Sequence, residues 1–169
     1  MCGIVGIVNA DQARSPDPDL VRKMCDTIVH RGPNSEGIDV AEGVGLGMRR
    51  LSIIDLSGGD QPLFNEDRSV RVVFNGEIYN YREICKQLQA RGHRLSTASD
   101  GEVIAHLWEE YGADFVHHLN GMFGIALHDV KRRKFVIVRD RLGIKPLYYS
   151  VLSDGLVFGS EIKGILASG

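Results

Sequence analysis

Met122–Arg139 reads MFGIALHDVKRRKFVIVR. Two apolar runs, Met122–His128 and Phe135–Arg139, flank the basic cluster Lys131-Arg132-Arg133-Lys134. Runs of this length around a charged break predict two neighbouring strands joined by a solvated turn. Leu147–Val151 and Leu156–Gly159 repeat the pattern and turn at Asp154-Gly155. Upstream, Val70–Phe74 predicts another strand, with Val70, Val72 and Phe74 on one face and its end at Asn75-Gly76. Gly3–Val8 predicts a buried strand, and Gly37–Val40 and Val44–Ile54 contain further strand-like pieces.

Helices fall between these strands in groups. Asp17-Pro18-Asp19 marks a helix start, followed by Leu20, Val21, Met24 and Ile28 at helical spacing. Gly32 and Pro33 in His30-Arg31-Gly32-Pro33-Asn34 end it. Asn80 and Glu83 have the spacing of a capping box, with an apolar stripe of Tyr81, Ile84, Cys85 and Leu88 and a stop at Gly92. Ser99 or Asp100 can cap the helix that buries Val103, Ile104, Leu107, Trp108 and Tyr111. Ser160 can cap a last short helix through Ala167. Antiparallel hairpins with grouped helices argue for a layered α+β domain rather than a doubly wound parallel sheet.

The 169 residues suffice for one domain of ordinary size. Hydrophobic residues make up 43% and charged residues 25%, as in a soluble globular domain. Net charge is −2, so no electrostatic footprint for nucleic acid is present. No apolar run reaches the roughly 18 residues of a membrane span, and the N-terminus carries no signal-peptide pattern. Cysteines at 2, 25 and 85 fit neither a disulfide framework nor a zinc spacing, which favours a reducing, cytoplasmic setting.

Cys2 has two readings. It is a small buried hydrophobe beside a strand, or, once Met1 is removed, a thiol and a free α-amine on one residue. The amine has a reference pKa of about 7.7–8 and can serve as the thiol's base. Asn75-Gly76 is either a turn signal or a pair of donors, an amide side chain and a backbone N–H, for a developing oxyanion. Arg50 offers a planar fork for a carboxylate. Glu77 and Asp100 suit an ammonium group, or are an exposed charge and a helix cap. Gly43-Val44-Gly45-Leu46-Gly47 lacks the strand–GxGxxG–helix context of a dinucleotide site and reads as turn and strand. Ser57-Gly58-Gly59-Asp60 has the wrong spacing for a phosphate loop of the SGGxDS kind. His117-His118 is no metal motif, and His30, His93, His106 and His128 show no partner pattern in the sequence.

Six segments in order, Met1–Gly6, HRGPNSEG (30–37), RLSIIDL (50–56), NGEIYNY (75–81), SDGEV (99–103) and RDRLGIKPLYY (139–149), resemble the glutaminase domain of class II glutamine amidotransferases, a branch of the N-terminal nucleophile hydrolases. The likeness runs over the whole chain and leans towards the N-terminal half of glutamine-dependent asparagine synthetases. It implies a four-layer αββα sandwich of two antiparallel sheets between helix layers. It implies Cys2 as nucleophile, Asn75 and Gly76 as oxyanion donors, and Arg50 as ligand of the glutamine carboxylate. The backbone of Leu51, Ser52, Ile53 and Ile54 would line the pocket, and Glu77 and Asp100 would hold the ammonium. Gly101 and Asn34 depart from the family pattern, which often has Thr or Cys and Asp there.

The resemblance also implies that residues 1–169 are a single glutaminase domain with L-glutamine as substrate. It implies no metal and no cofactor for this domain. ATP and Mg are expected only in a C-terminal synthetase domain, the partner that would use the ammonia, and the chain ends near where that domain should begin. An alternative is a catalytically silent binding or assembly module that needs this partner. Pairing of two copies as a homodimer is left open.

Overall fold

A computed structural model describes residues 2–52 and 59–169. These form nine strands and four α-helices: β1 (Gly3–Asn9), α1 (Pro18–Asp26), β2 (Ser35–Ala41), β3 (Val44–Arg50), β4 (Leu63–Phe64), β5 (Val70–Ile78), α2 (Tyr81–Ala90), α3 (Val103–Tyr111), β6 (Gly121–Asp129), β7 (Lys134–Arg139), β8 (Tyr148–Leu152), β9 (Gly155–Gly159) and α4 (Ile162–Leu166). One sheet has the order β2-β3-β1-β9-β8 and the other β4-β5-β6-β7. Every pairing is antiparallel.

The period-2 alternation of strand side chains builds the layers. Ile4, Leu46, Met48 and Phe158 of the first sheet meet Val73 and Ala126 of the second in one buried cluster between the sheets. The alternate residues Val5 and Val157 face outward onto Val21, Met24 and Ile165 of α1 and α4. On the other side Val72, Phe74, Ile125 and Leu127 face outward onto Ile84, Leu88, Ile104 and Trp108 of α2 and α3. Three apolar seams thus separate four layers, helices–sheet–sheet–helices, as the sequence resemblance implied. The outward positions of β3 include Gly45 and Gly47. A Cβ at Gly47 would lie 2.6 Å from Cys25 Sγ, so these glycines let α1 lie close on the sheet.

Local signals held in part. Asp17 caps α1 by accepting from Asp19 N, and Pro18 occupies its first turn. Gly92, at φ +99°, closes α2. Three expected caps did not form: Asn80, Asp100 and Ser160 bond distant partners, and Ser99 Oγ accepts from Gly101 N at 3.3 Å. Asn80 shows no capping bond; its amide donates to His118 O and accepts from Asn120 N. Ser160 Oγ accepts from Ile4 N, which ties β1 to the chain beyond β9. Neither Ser99 nor Asp100 is the N-cap of α3. Glu102 holds that place, and its carboxylate instead takes the N–H and hydroxyl groups of Ser96 and Thr97. Strand β5 does not end at Asn75-Gly76; it continues through both residues to Ile78, paired with β6.

Arg71, on the inner face of β5, plugs one end of the space between the sheets. It pairs with Asp39, donates to Ala41 O at 2.8 Å and lies 2.5 Å from His128 Nδ1. Burial, and next the Arg71 charge, push His128 down to about 4, so its ring is neutral at pH 7.

Candidate active site

The same alternation that builds the inter-sheet seam carries a second set of side chains to its opposite end. On β5 the inner positions run Arg71, Val73, Asn75 and Glu77. On β3 they run Val44, Leu46, Met48 and Arg50. Ahead of β1, Cys2 shares the face of Ile4 and packs on the inter-sheet cluster. Gly3 pairs with Arg49, which places Cys2 beside Arg50. Cys2, Arg50, Asn75 and Glu77 therefore converge because a strand repeats every two residues. They line one cavity of about 220 Å³, together with Leu51, Gly76 and Asp100.

Several bonds hold the thiol in place. Leu51 N donates to Cys2 Sγ at 3.4 Å. Arg31 Nε donates to Cys2 O at 3.0 Å, and Arg31 is itself anchored on Glu161 at 3.0 Å. Burial opposes ionisation of Glu161, but Arg31 first, then His30 and Lys163, hold its carboxyl down at about 2. Arg31 belongs to the HRG segment, so that segment acts on Cys2 through its backbone.

Asn75 is 1% exposed, and its Nδ2 has no hydrogen-bond partner among the described residues. A buried amide without a partner costs roughly 1–3 kcal/mol in a folded protein, yet this one lines the cavity. Gly76 adds a second donor. Phe74 N donates to Gln61 Oε1 at 2.6 Å and Ile78 N donates to Asp100 Oδ2 at 2.8 Å, so both N–H groups point away from β6. Alternation along the strand turns Gly76 N–H to the same edge, between them, where the cavity lies. A Cβ at Gly76 would lie 2.1 Å from Met122 O, so β6 passes too close for any other residue.

Asp100 reaches the cavity from the loop before α3. Burial raises its pKa, and Glu77 nearby adds to the rise. Gly101 beside it has the Phe74 ring 2.6 Å from where a Cβ would stand, so a larger residue here requires Phe74 to shift. Arg50 is buried and ion-paired at 2.9 Å with the exposed carboxylate of Asp60, which shows that its fork can take a carboxylate at the cavity wall.

Of the residues singled out from the sequence, Cys2, Arg50, Leu51, Asn75, Gly76, Glu77 and Asp100 are brought together. Ser52 is not among the lining residues; its N–H donates to Asn34 Oδ1 at 3.0 Å. Ile53 and Ile54 lie outside the described residues. Gln61, Ser99, Met122 and Lys145 line the cavity without having been anticipated as site residues. Gln61 acts as a strand mimic, bonding both Phe74 N and Phe74 O, and no local pattern announces that role. Lys145 had a signal, since it lies in the RDRLGIKPLYY segment. Asp140 accepts from the N–H groups of Phe123, Leu142, Ile144 and Lys145 and folds this loop onto the cavity. Burial would raise Asp140, but these N–H groups hold its carboxyl below the usual range.

A family model described as a glutamine amidotransferase domain matches residues 1–169. Asparagine synthetase [glutamine-hydrolyzing] 2 of Bacillus subtilis (strain 168) is 47% identical over 169 residues, covering 99% of this chain and 22% of that protein. A protein of the same name from Oryza sativa subsp. japonica is 43% identical over 166 residues, covering 98% and 28%. The chain thus spans about a quarter of the length of these relatives. Among solved structures, glutamine phosphoribosylpyrophosphate amidotransferase from B. subtilis superposes with a TM-score of 0.78 at 21% identity, over 99% of this chain and 44% of that one. That likeness shows a shared fold. With the family model matching from the first residue to the last, the chain belongs to the glutamine amidotransferase domain family.

Proposed function

We propose that this domain hydrolyses the side-chain amide of L-glutamine through a thioester on Cys2. The observation that carries the reading is the buried Nδ2 of Asn75, without a partner among the described residues, in a cavity shared with a thiol. Removal of Met1 frees the α-amine of Cys2, which takes the thiol proton through water. The thiolate attacks the amide carbon. Negative charge develops on the oxygen, where Asn75 Nδ2 and Gly76 N–H are preorganised to receive it. The tetrahedral adduct collapses, the protonated leaving nitrogen departs as ammonia, and a γ-glutamyl thioester remains. Water attacks that thioester, glutamate leaves and the thiol is restored. Arg50 takes the substrate carboxylate in place of Asp60, and Glu77 and Asp100 take its ammonium.

The relatives' greater length supports a second, C-terminal region in a parent chain. There an ATP- and Mg-dependent synthetase domain would consume the ammonia that residues 1–169, as a glutaminase domain, release. The reading is tested by glutamate release from glutamine by protein of verified N-terminal mass. Met1-free protein is expected to release glutamate, and Cys2→Ala to lose this activity by about 10⁴-fold or more with its circular dichroism unchanged. An active alanine variant would sink the reading.

One observation favours a second reading, a docking module that is silent alone. β8 is the edge of its sheet, and Tyr149 and Val151 on it are 62% and 72% exposed, with Leu142 nearby in sequence at 85%. An open edge with apolar side chains suits a partner surface. Met1-free protein that binds glutamine without turning it over would select this reading.

A further inference from the structure

His93 and His106 show no partner pattern in the sequence, but the fold sets them face to face. His93 follows the Gly92 turn that closes α2, and His106 and Glu109 sit at i and i+3 on α3. Glu66 lies in the turn between β4 and β5. The two Nδ1 atoms are 3.2 Å apart with the rings at 70°. Glu66 places Oε1 3.4 Å from His93 Nδ1 and Oε2 3.4 Å from His106 Nδ1. Glu109 Oε2 lies 3.8 and 3.7 Å from the same two nitrogens. All four residues present ligand atoms within 4.8 Å of one another.

These separations are mostly too long for hydrogen bonds. At 3.2–3.8 Å they lie near those of a coordination shell, since a tetrahedral ion with bonds of about 2.0–2.2 Å holds its ligand atoms roughly 3.3–3.6 Å apart. Two further features point inward. Glu109 Oε2 is buried without a hydrogen-bond partner among the described residues, while its Oε1 accepts from Asn65 Nδ2 at 2.9 Å. The outer ring nitrogens face carboxylates, His93 Nε2 towards Glu110 at 3.0 Å and the fully buried His106 Nε2 towards Glu102 at 3.8 Å. Carboxylates there favour protons on Nε2 and leave both Nδ1 lone pairs aimed at each other. Without a cation, that arrangement is repulsive.

We propose that Glu66, His93, His106 and Glu109 bind one divalent transition-metal ion of the zinc class. Two imidazoles and two carboxylates suit Zn²⁺ better than the all-oxygen preference of Mg²⁺ or Ca²⁺. Four protein ligands make a closed, structural site. The ion ties the β4–β5 turn, the end of α2 and the middle of α3 together. Glu102, in contact with His106, organises Ser96 and Thr97, so the site steadies the segment that delivers Asp100 to the cavity. The proposal does not depend on glutamine hydrolysis.

The test uses the full chain stripped with a chelator and titrated with Co²⁺, then Zn²⁺. One equivalent of Co²⁺ should give the visible d–d bands of a four-coordinate N/O site, without thiolate charge transfer from Cys2, Cys25 or Cys85. Zn²⁺ should displace it and raise the melting temperature. His93→Gln and Glu109→Gln, both at partly exposed positions, should each weaken binding by about 100-fold or more, beyond what loss of an outer-sphere partner costs. Folded wild type that binds neither ion at micromolar concentration overturns the proposal, as does unchanged affinity in both variants. If the variants fail to fold, X-ray absorption of the wild-type Zn²⁺ complex decides. A shell of two imidazoles and two oxygens supports the site, and sulfur scattering overturns it.

Discussion

The two ends of the inner face of β5 treat buried polar groups in opposite ways. At one end Arg71 gives both terminal nitrogens to partners, Asp39, Ala41 O and His128, and only its Nε lacks one among the described residues. Four positions along, on the same face, Asn75 keeps its Nδ2 buried with no partner among the described residues, beside the Cys2 thiol. Chain, face and period are the same. A closed polar network contributes to stability, whereas an open one stores a donor for something that arrives later. On this strand, the unsatisfied amide that a cavity meets is the one a substrate can use.

The comparison breaks most sharply at Asn75. Asn75→Ala is expected to lower kcat for glutamine hydrolysis by about 10²–10³-fold, as loss of one oxyanion donor does, while thermal unfolding shows little loss of stability, since Nδ2 makes no bond among the described residues. A destabilised variant with intact kcat would reverse the assignment of the two ends. Arg50→Ala comes next. Losing a charge-assisted bond to the substrate carboxylate should raise KM by roughly 10–100-fold with a smaller change in kcat; steady-state kinetics with an unchanged KM would remove Arg50 from the site.

The closed end should titrate in stability rather than activity. His128 falls from 6.5 to about 4 in the folded protein. Its contribution is therefore full above about pH 6.5 and is lost as pH falls towards 4, because the unfolded chain binds the proton first. The loss amounts to about 3 kcal/mol at most. Denaturant titrations across that window check it, with His128→Asn flattening the slope. The open end should titrate in activity. Asp100 is raised by burial, and only its ionised form attracts an ammonium group. kcat/KM should then fall on acidification through a value above the ordinary carboxylate range. Asp100→Asn should flatten that acid limb, and a limb unmoved by the substitution would place the titration on another group.

Much of this was legible before the structure. Alternating runs announced the strands, the basic cluster announced the β6–β7 turn, and Asp17-Pro18 and Gly92 announced helix ends. Each depends on neighbours in the chain. The three misjudged caps fail for the converse reason: Asn80, Asp100 and Ser160 bond residues 22 or more positions away, where local propensity has no say. The site divides along the same line. Cys2, Arg50, Asn75, Glu77 and Asp100 stood out through their segments, but the sequence left Asn75-Gly76 open between a turn and a pair of donors. Continuation of β5 through both residues removes the turn, and the pair of donors is the reading proposed here.

What the sequence determined by itself is the set of chemical groups and the faces they share, because side-chain direction in a strand follows from covalent geometry alone. What only the tertiary structure decided is which groups meet and which are left over. Gln61 closing the edge of β5, Asp140 folding Lys145 onto the cavity wall, and two histidines meeting Nδ1 to Nδ1 all depend on distances between elements. Those distances are set by packing of the three apolar seams, a property of the whole chain that no local stretch contains.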